Sequence, residues 1–384
     1  MTSIVSPPIA RIATLAQARE QTGAKVIRLG QAVPWYGPPE WALAGLASGV
    51  HAPELHRYSP DPGLPEVRQL LSDLWFTPRR LVVDPATEIH LTTGASQAFL
   101  GALTAVADPG QRVVLTDPYY FDHLFAVQFL ALTPRFVPMR EDESGFHLNA
   151  AGIISEIRSG CAAVVVVDPA NPTGSVVEEC SLRLISEACA ASGTALILDE
   201  TYERITFSPP RGWHPWRDAR TRGVTILVGS FSKSLGMAGW RLGYLIAPPH
   251  VMEQALKVHD CVAICAPVSA QVLLRLVLEG PFEEWMRVRL DDLDRRRRSV
   301  RQALEASSFF RWRPTGGGIF SFLPYRGTSN SLDTATRVLS ETGVALIPGS
   351  AFGPAGEGHL RLSFGSTPAT DFEEALARLA AHRQ

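Results

Sequence analysis

The chemistry available to this 384-residue chain can be built around one amine, Lys233. It lies in VGSFSKSLGMAGWRLGY, Val228 to Tyr244, among Ser230, Ser232, Ser234 and Gly236, with Arg241 eight residues on. A lone Ser-Lys pair in a loop reads as a solvated surface lysine. Two serines and an arginine around one lysine instead make a phosphate site. An amine crowded by cations and apolar walls has its charged form disfavoured, which is how a lysine becomes a Schiff-base nucleophile. Other groups with chemical reach stand in loops. LTTGASQ puts Gly94, Ala95 and Ser96 at a helix start, where free N–H groups attract a phosphate. TDPYYFD sets Tyr119 and Tyr120 after a proline turn, and DPANPTG holds the Asn171 amide in what is otherwise an ordinary turn. LILDETY ends an apolar run in Asp199, Glu200 and Tyr202; a carboxylate at the end of a buried strand needs a partner. Arg361 alternates with Leu360 and Leu362, which turns it away from the core they pack in. The pattern alone leaves open whether it is merely solvated there or serves a site.

The lysine stretch strongly resembles the cofactor-lysine segment of fold-type I pyridoxal-phosphate enzymes, in particular the class I/II aminotransferases. The four loops follow in that family's order. The resemblance implies pyridoxal 5'-phosphate as cofactor, with Lys233 as its covalent partner and then the base that moves the substrate proton. It implies Asp199 at the ring nitrogen, Asn171 and Tyr202 as donors to the phenolate oxygen, and Tyr120 stacked on the ring, with Tyr119 the near alternative. Ser230, Ser232, Arg241, Gly94, Ala95 and Ser96 would hold the phosphate. Tyr58, five residues before Gly63, would reach that phosphate from a neighbouring subunit, making the active unit a homodimer. Arg361, Asn171 and the backbone near Ala32 would hold the substrate α-carboxylate beneath a closing LGQ segment that adds Gln31 and Tyr36. Ala32 stands where that family commonly has glycine, which leaves this backbone less free. The implied reaction is transfer of an amino group between an L-amino acid and a 2-oxo acid. Elimination or replacement chemistry, as in carbon–sulfur lyases and aminocyclopropane-carboxylate synthases, shares nearly all these motifs, as does an oxygen-using oxidase. A non-catalytic regulatory module is disfavoured by Lys233 itself and by the lack of a basic helix-turn-helix segment.

The elements that must position these residues alternate. Ile89 to Thr92, Arg112 to Thr116, Pro134 to Pro138, Ala163 to Val167, Ala195 to Leu198 and Thr225 to Val228 read as short strands, most separated by helical patterns. Strands apolar on both faces imply an α/β domain with a mainly parallel sheet, and ligands gather at the loops leaving such strands. The Lys233 stretch reads as strand, irregular loop, strand. Beyond it, Val268 to Leu278, Glu283 to Ala306 and Leu332 to Thr342 read as helices, and HLRLSFG as a strand, giving a smaller α+β domain. A helix over Ile9 to Thr22 and a short strand at Val26 to Leu29 precede Glu40 to Ser48, a further helix. The expected division is 1–40 joining the small domain, 41–278 as the cofactor domain and 279–384 as the small domain.

Composition narrows the class. Lys+Arg 36 against Asp+Glu 38 leaves a net charge of -2, no basic surface for nucleic acid. The Arg295 to Arg298 run follows Asp291, Asp292 and Asp294 and reads as a solvated helix face. Five cysteines make no disulfide framework, and Cys261 and Cys265 lack zinc-spaced partners, so buried reduced thiols and no metal are expected. No signal peptide and no membrane-length apolar run is recognised, which points to a cytoplasmic protein.

Overall fold

Short apolar strands are stable only when both their faces are covered, and the chain arranges this by crossing over with helices. The computed structural model describes residues 8–383, so the short lead at 1–7 lies outside the described residues. Along the chain, β1 (Ile27–Arg28) is followed by β2 (Ile89–Thr92), β3 (Arg112–Asp117) and β4 (Thr133–Pro138). A small hairpin of β5 (Arg140–Asp142) and β6 (Gly145–His147) precedes β7 (Ala163–Val167), β8 (Ala195–Asp199), β9 (Thr225–Ser230) and β10 (Gly243–Ile246). Last come β11 (Phe320–Pro324), β12 (Val344–Ala345), β13 (Ile347–Pro348) and β14 (His359–Ser363).

Seven strands pair in the order β2-β10-β9-β8-β7-β3-β4, with only β10 antiparallel to its neighbours. The expected α/β arrangement with a mainly parallel sheet is what the chain forms. Side chains alternate across it as strand geometry requires. Val113, Val165, Ile197 and Val228 meet the helices Gly94–Val106 and Pro249–Ala263 through Ala98, Ala102 and Ala255. Val114, Val166, Leu196 and Leu227 face the other way, in the cluster holding Ile153 and Ile185 of helices Ala150–Arg158 and Glu179–Ser192.

The remaining strands form a three-stranded sheet, β11-β14-β13, antiparallel throughout, and a parallel pair of β1 with β12. Ile12 and Ala16 of helix Ile9–Gln21 share one core with Val338, Leu360 and Leu376, so sequence-distant segments bury their apolar faces together. Helix Phe282–Leu304 contributes Leu293 and Val300 to that core.

Two expectations fail here. Arg296 is not on a solvated face: it is 4% exposed, pairs with Asp292 at 2.8 Å and lies 3.9 Å over the Trp35 ring. A guanidinium can be buried this way because an aromatic face and a carboxylate replace water together. The cysteines are free, but only Cys189 is fully buried; Cys180 and Cys261 are exposed.

Candidate active site

A cavity of about 640 Å³ opens where the parallel strands end. β3 delivers Tyr120 to it, β7 Asn171, β8 Asp199 and Tyr202, and β9 Ser230, Ser232 and Lys233. Ala95 and Ser96, in the first turn of helix Gly94–Val106, line it with Arg241 and Ala32.

Lys233 does not sit in irregular loop. The Ser230 hydroxyl accepts from the Ser232 N–H at 3.1 Å and caps a short helical turn, Phe231–Ser234. Phe231 anchors the turn beneath, with its ring centroid 5.3 Å from Trp75. The lysine therefore projects from a fixed turn, its Nζ donating to the Ala32 carbonyl. From the other side, the Tyr36 hydroxyl donates to the Lys233 carbonyl at 2.8 Å. Burial, followed by the charges of Arg361 and Arg241, lowers the Lys233 pKa from 10.5 to about 8.

The end of the cavity around Arg241 is built by close backbone approach. Arg241 has φ 52, in the left-handed region, and its guanidinium lies against Gly94, where a Cβ would overlap it. A Cβ on Gly243 would stand 2.6 Å from the Gly94 carbonyl carbon and 2.7 Å from the Ala95 nitrogen. Only glycine lets β10 bring Arg241 and the helix start this near each other.

Asp199 is buried, and its Oδ2 meets His123 Nε2 at 3.0 Å while Oδ1 accepts from the Thr201 N–H at 3.0 Å. Burial alone would raise its pKa; the His123 and Thr201 hydrogen bonds outweigh that and hold it below the usual value. His123 is itself fixed, stacked on Phe99 at 4.0 Å and meeting the Tyr120 ring edge-on at 5.3 Å. Sequence reasoning missed His123. The signal was its place three residues after Tyr120, in the first turn of helix Phe121–Phe129.

Arg361 is 4% exposed, because Phe320 and Phe352 cover it at 4.7 and 4.8 Å from ring centroid to guanidinium carbon. It donates to Asn171 Oδ1 at 2.8 Å and to the Gly30 carbonyl at 2.7 Å. Since Arg361 can only donate, the Asn171 amide must turn its oxygen toward it and leave its NH₂ on the other side. The solvated alternative for Arg361 is excluded. Burial raises the Tyr202 pKa, keeping its hydroxyl a donor at neutral pH. Of the two tyrosine candidates, Tyr120 lines the cavity and Tyr119 stacks on Phe136 at 5.1 Å. Gln31 is exposed and away from the cavity lining, Tyr36 supports the lysine turn from behind, and Tyr58 is 75% exposed. Among the described residues, no group of three or more His, Cys, Asp or Glu could hold a metal ion. No helix of the described residues is long and apolar enough to cross a membrane.

The family model for aminotransferase class I and II matches residues 24–379. The chain belongs to the class I and II aminotransferases. It is 31% identical over 364 residues to an aspartate aminotransferase of Pyrococcus abyssi, covering 92% of this chain and 90% of that one. An aromatic aminotransferase of Arabidopsis thaliana is 32% identical over 360 residues, covering 91% and 88%. The solved structure of an aminotransferase from Mycobacterium tuberculosis superposes with a TM-score of 0.91 at 29% identity, over 99% of this chain and 97% of that one. This aminotransferase is a pyridoxal-phosphate enzyme that exchanges an amino group between an amino acid and a 2-oxo acid. Its residues fit the cofactor. The cavity has the size of a small-molecule site, with cationic and N–H groups at one end and a buried carboxylate held ionised beside Tyr120. An amine of lowered pKa stands among them.

Proposed function

We propose that this aminotransferase works through Lys233, with Asp199 and Tyr202 as its catalytic partners. The observation that carries the reading is the Lys233 amine itself, buried in the cavity with its pKa near 8. A lowered pKa raises the share of free amine, the form that both covalent attachment and proton transfer require. When bound, pyridoxal phosphate supplies an electron sink for the substrate Cα. Asp199, kept ionised by His123, would hold the ring nitrogen protonated. The NH₂ of Asn171 and the hydroxyl of Tyr202 would donate to the phenolate oxygen, and Tyr120 would pack against the ring. Ser230, Ser232, Arg241 and the N–H groups of Gly94, Ala95 and Ser96 would bind the phosphate. Arg361 orients the substrate α-carboxylate alongside Asn171, and the backbone at Gln31 and Ala32, braced by Tyr36, closes over it. Lys233 then carries the proton away from Cα.

The proposal extends to assembly. Tyr58, three-quarters exposed, is the residue a second copy would cover, and a homodimer would bring the partner subunit's Tyr58 to each phosphate. Residues 1–40 and 279–384 would form the small domain and 41–278 the cofactor domain. Five free cysteines suit the cytoplasm. The decisive experiment mixes the yellow holoenzyme with an amino acid. Loss of the visible band, its return on adding a 2-oxo acid, and borohydride labelling of the Lys233 peptide are expected. Label on Lys25 or Lys257, or steady ammonia release without acceptor or bleaching, would overturn the reading.

A further inference from the structure

Every charged side chain lining the cavity has a task under the preceding reading, on which this inference rests, except one. Asp199 serves the ring nitrogen, Arg241 the phosphate and Lys233 the covalent bond, with Arg361 behind Asn171 for the α-carboxylate. Asp122 has none. It stands in the first turn of helix Phe121–Phe129, half-buried, accepting the Tyr120 hydroxyl at 2.6 Å. An acidic residue suits a helix N-terminus, but that role requires no contact with the cavity, and Asp122 lines it. Its charge also acts on the Lys233 amine, so the carboxylate lies within electrostatic reach of the reacting end of the site.

The wall beside it is apolar. Leu100, Phe125, Ala126 and Phe129 face the same cavity. An apolar wall that meets a carboxylate fits a methylene stem ending in a cation. It opposes a stem ending in a second carboxylate, because the lysine and the arginine lining the cavity among the described residues, Lys233 and Arg241, are already committed under that reading. Tyr120 fixes the geometry, since its hydroxyl holds one carboxylate oxygen and leaves the other for substrate.

We propose that Asp122, positioned by Tyr120, selects amino acids whose side chains end in a positive charge and rejects those that end in a carboxylate. Asp122→Asn tests this with little structural risk, because the amide oxygen still accepts the Tyr120 hydroxyl. Holoenzyme and variant would be titrated calorimetrically with pentanoate, glutarate and δ-guanidinopentanoate. These carboxylates share one carbon-chain length and carry no primary amine, so they bind without reacting. The wild type should prefer δ-guanidinopentanoate over glutarate by roughly tenfold to a hundredfold, the scale of one opposed against one matched charge. The variant should bring the two within roughly threefold of each other and leave pentanoate unchanged. In the amino-acid half-reaction, kcat/KM for ornithine should fall and that for glutamate rise. An equal preference ratio in both proteins, or uniform weakening of all three ligands, would overturn the assignment and leave Asp122 a helix-end residue. A wild type bleached by no amino acid would refute the parent reading instead, while the binding ratio would still report on Asp122.

Discussion

The hydrogen bond between His123 and Asp199 makes a prediction whose size follows from the structure. Asp199 is buried with two visible supports, the Thr201 N–H and His123 Nε2, each at 3.0 Å. His123→Phe keeps a ring to stack on Phe99 but removes the donor. A hydrogen bond to a charged group contributes roughly 1.5–3 kcal/mol, equivalent to about one to two pH units at the carboxylate. The folded-state pKa of Asp199 is depressed, so losing a donor moves it up. The acid limb of the half-reaction rate should therefore rise by about one to two pH units. If the whole loss is felt in the transition state, the rate at neutral pH falls by about tenfold to a hundredfold. Stopped-flow bleaching across pH reads both quantities, and cofactor titration shows whether affinity changes less than rate. His123→Gln, whose amide can occupy the place of Nε2, should recover most of the loss. If the acid limb of His123→Phe overlays the wild type, or Gln is no better than Phe, His123 merely packs.

Three further outcomes are expected. The fall of the Lys233 pKa from 10.5 to about 8 means that the unfolded chain binds more protons between those values, so this residue's contribution to stability rises with pH there. Lys233→Met apoprotein should thus exceed wild type in denaturant stability by up to about 3 kcal/mol below pH 8, with the gap closing toward pH 10.5; a gap constant with pH would refute the burial argument. Gly243→Ala should push its methyl into the Gly94–Ala95 backbone and weaken cofactor binding by tenfold or more while secondary structure is retained, checked by spectral titration; unchanged affinity would show that the loop yields freely. Mixing nearly inactive Tyr58→Ala and Lys233→Ala chains should restore one native site per heterodimer at limiting cofactor, and verified heterodimers without recovery would remove Tyr58 from the site.

Much of this was legible because the chemistry sits at strand ends. The strands announced themselves by apolar residues on both faces, and Asp199, Asn171 and Lys233 follow them directly. What stayed hidden depends on contacts that no local pattern encodes. The alternation around Arg361 marked which side it faces, but not that Phe320 and Phe352 roof that side. The charge run at Arg295 to Arg298 gave no hint that Trp35, far back in the chain, lies under Arg296. His123 and Asp122 sit in one helical turn beside Tyr120, where a histidine and an acid read as packing and end-capping. Lys233 stands out in the sequence, yet its helical turn does not, since four residues are too few for periodicity to register and only the Ser230 cap betrays it.

The pairing of β1 with β12 sets an order of events during synthesis. Ile27 and Arg28 pair with Val344 and Ala345, the Ser363 N–H donates to the Leu29 carbonyl, and Arg361 reaches the Gly30 carbonyl across 331 residues of sequence. The strands from β2 to β10, which deliver Asn171, Asp199 and Lys233 to the cavity, all emerge from the ribosome between those two halves. The large sheet can form while β1 still waits for its partner. A nascent chain thus completes the strands that deliver Asp199 and Lys233 well before it acquires Arg361, and under the proposed reading a product stalled before Val344 would hold the cofactor residues without the arginine that meets the α-carboxylate.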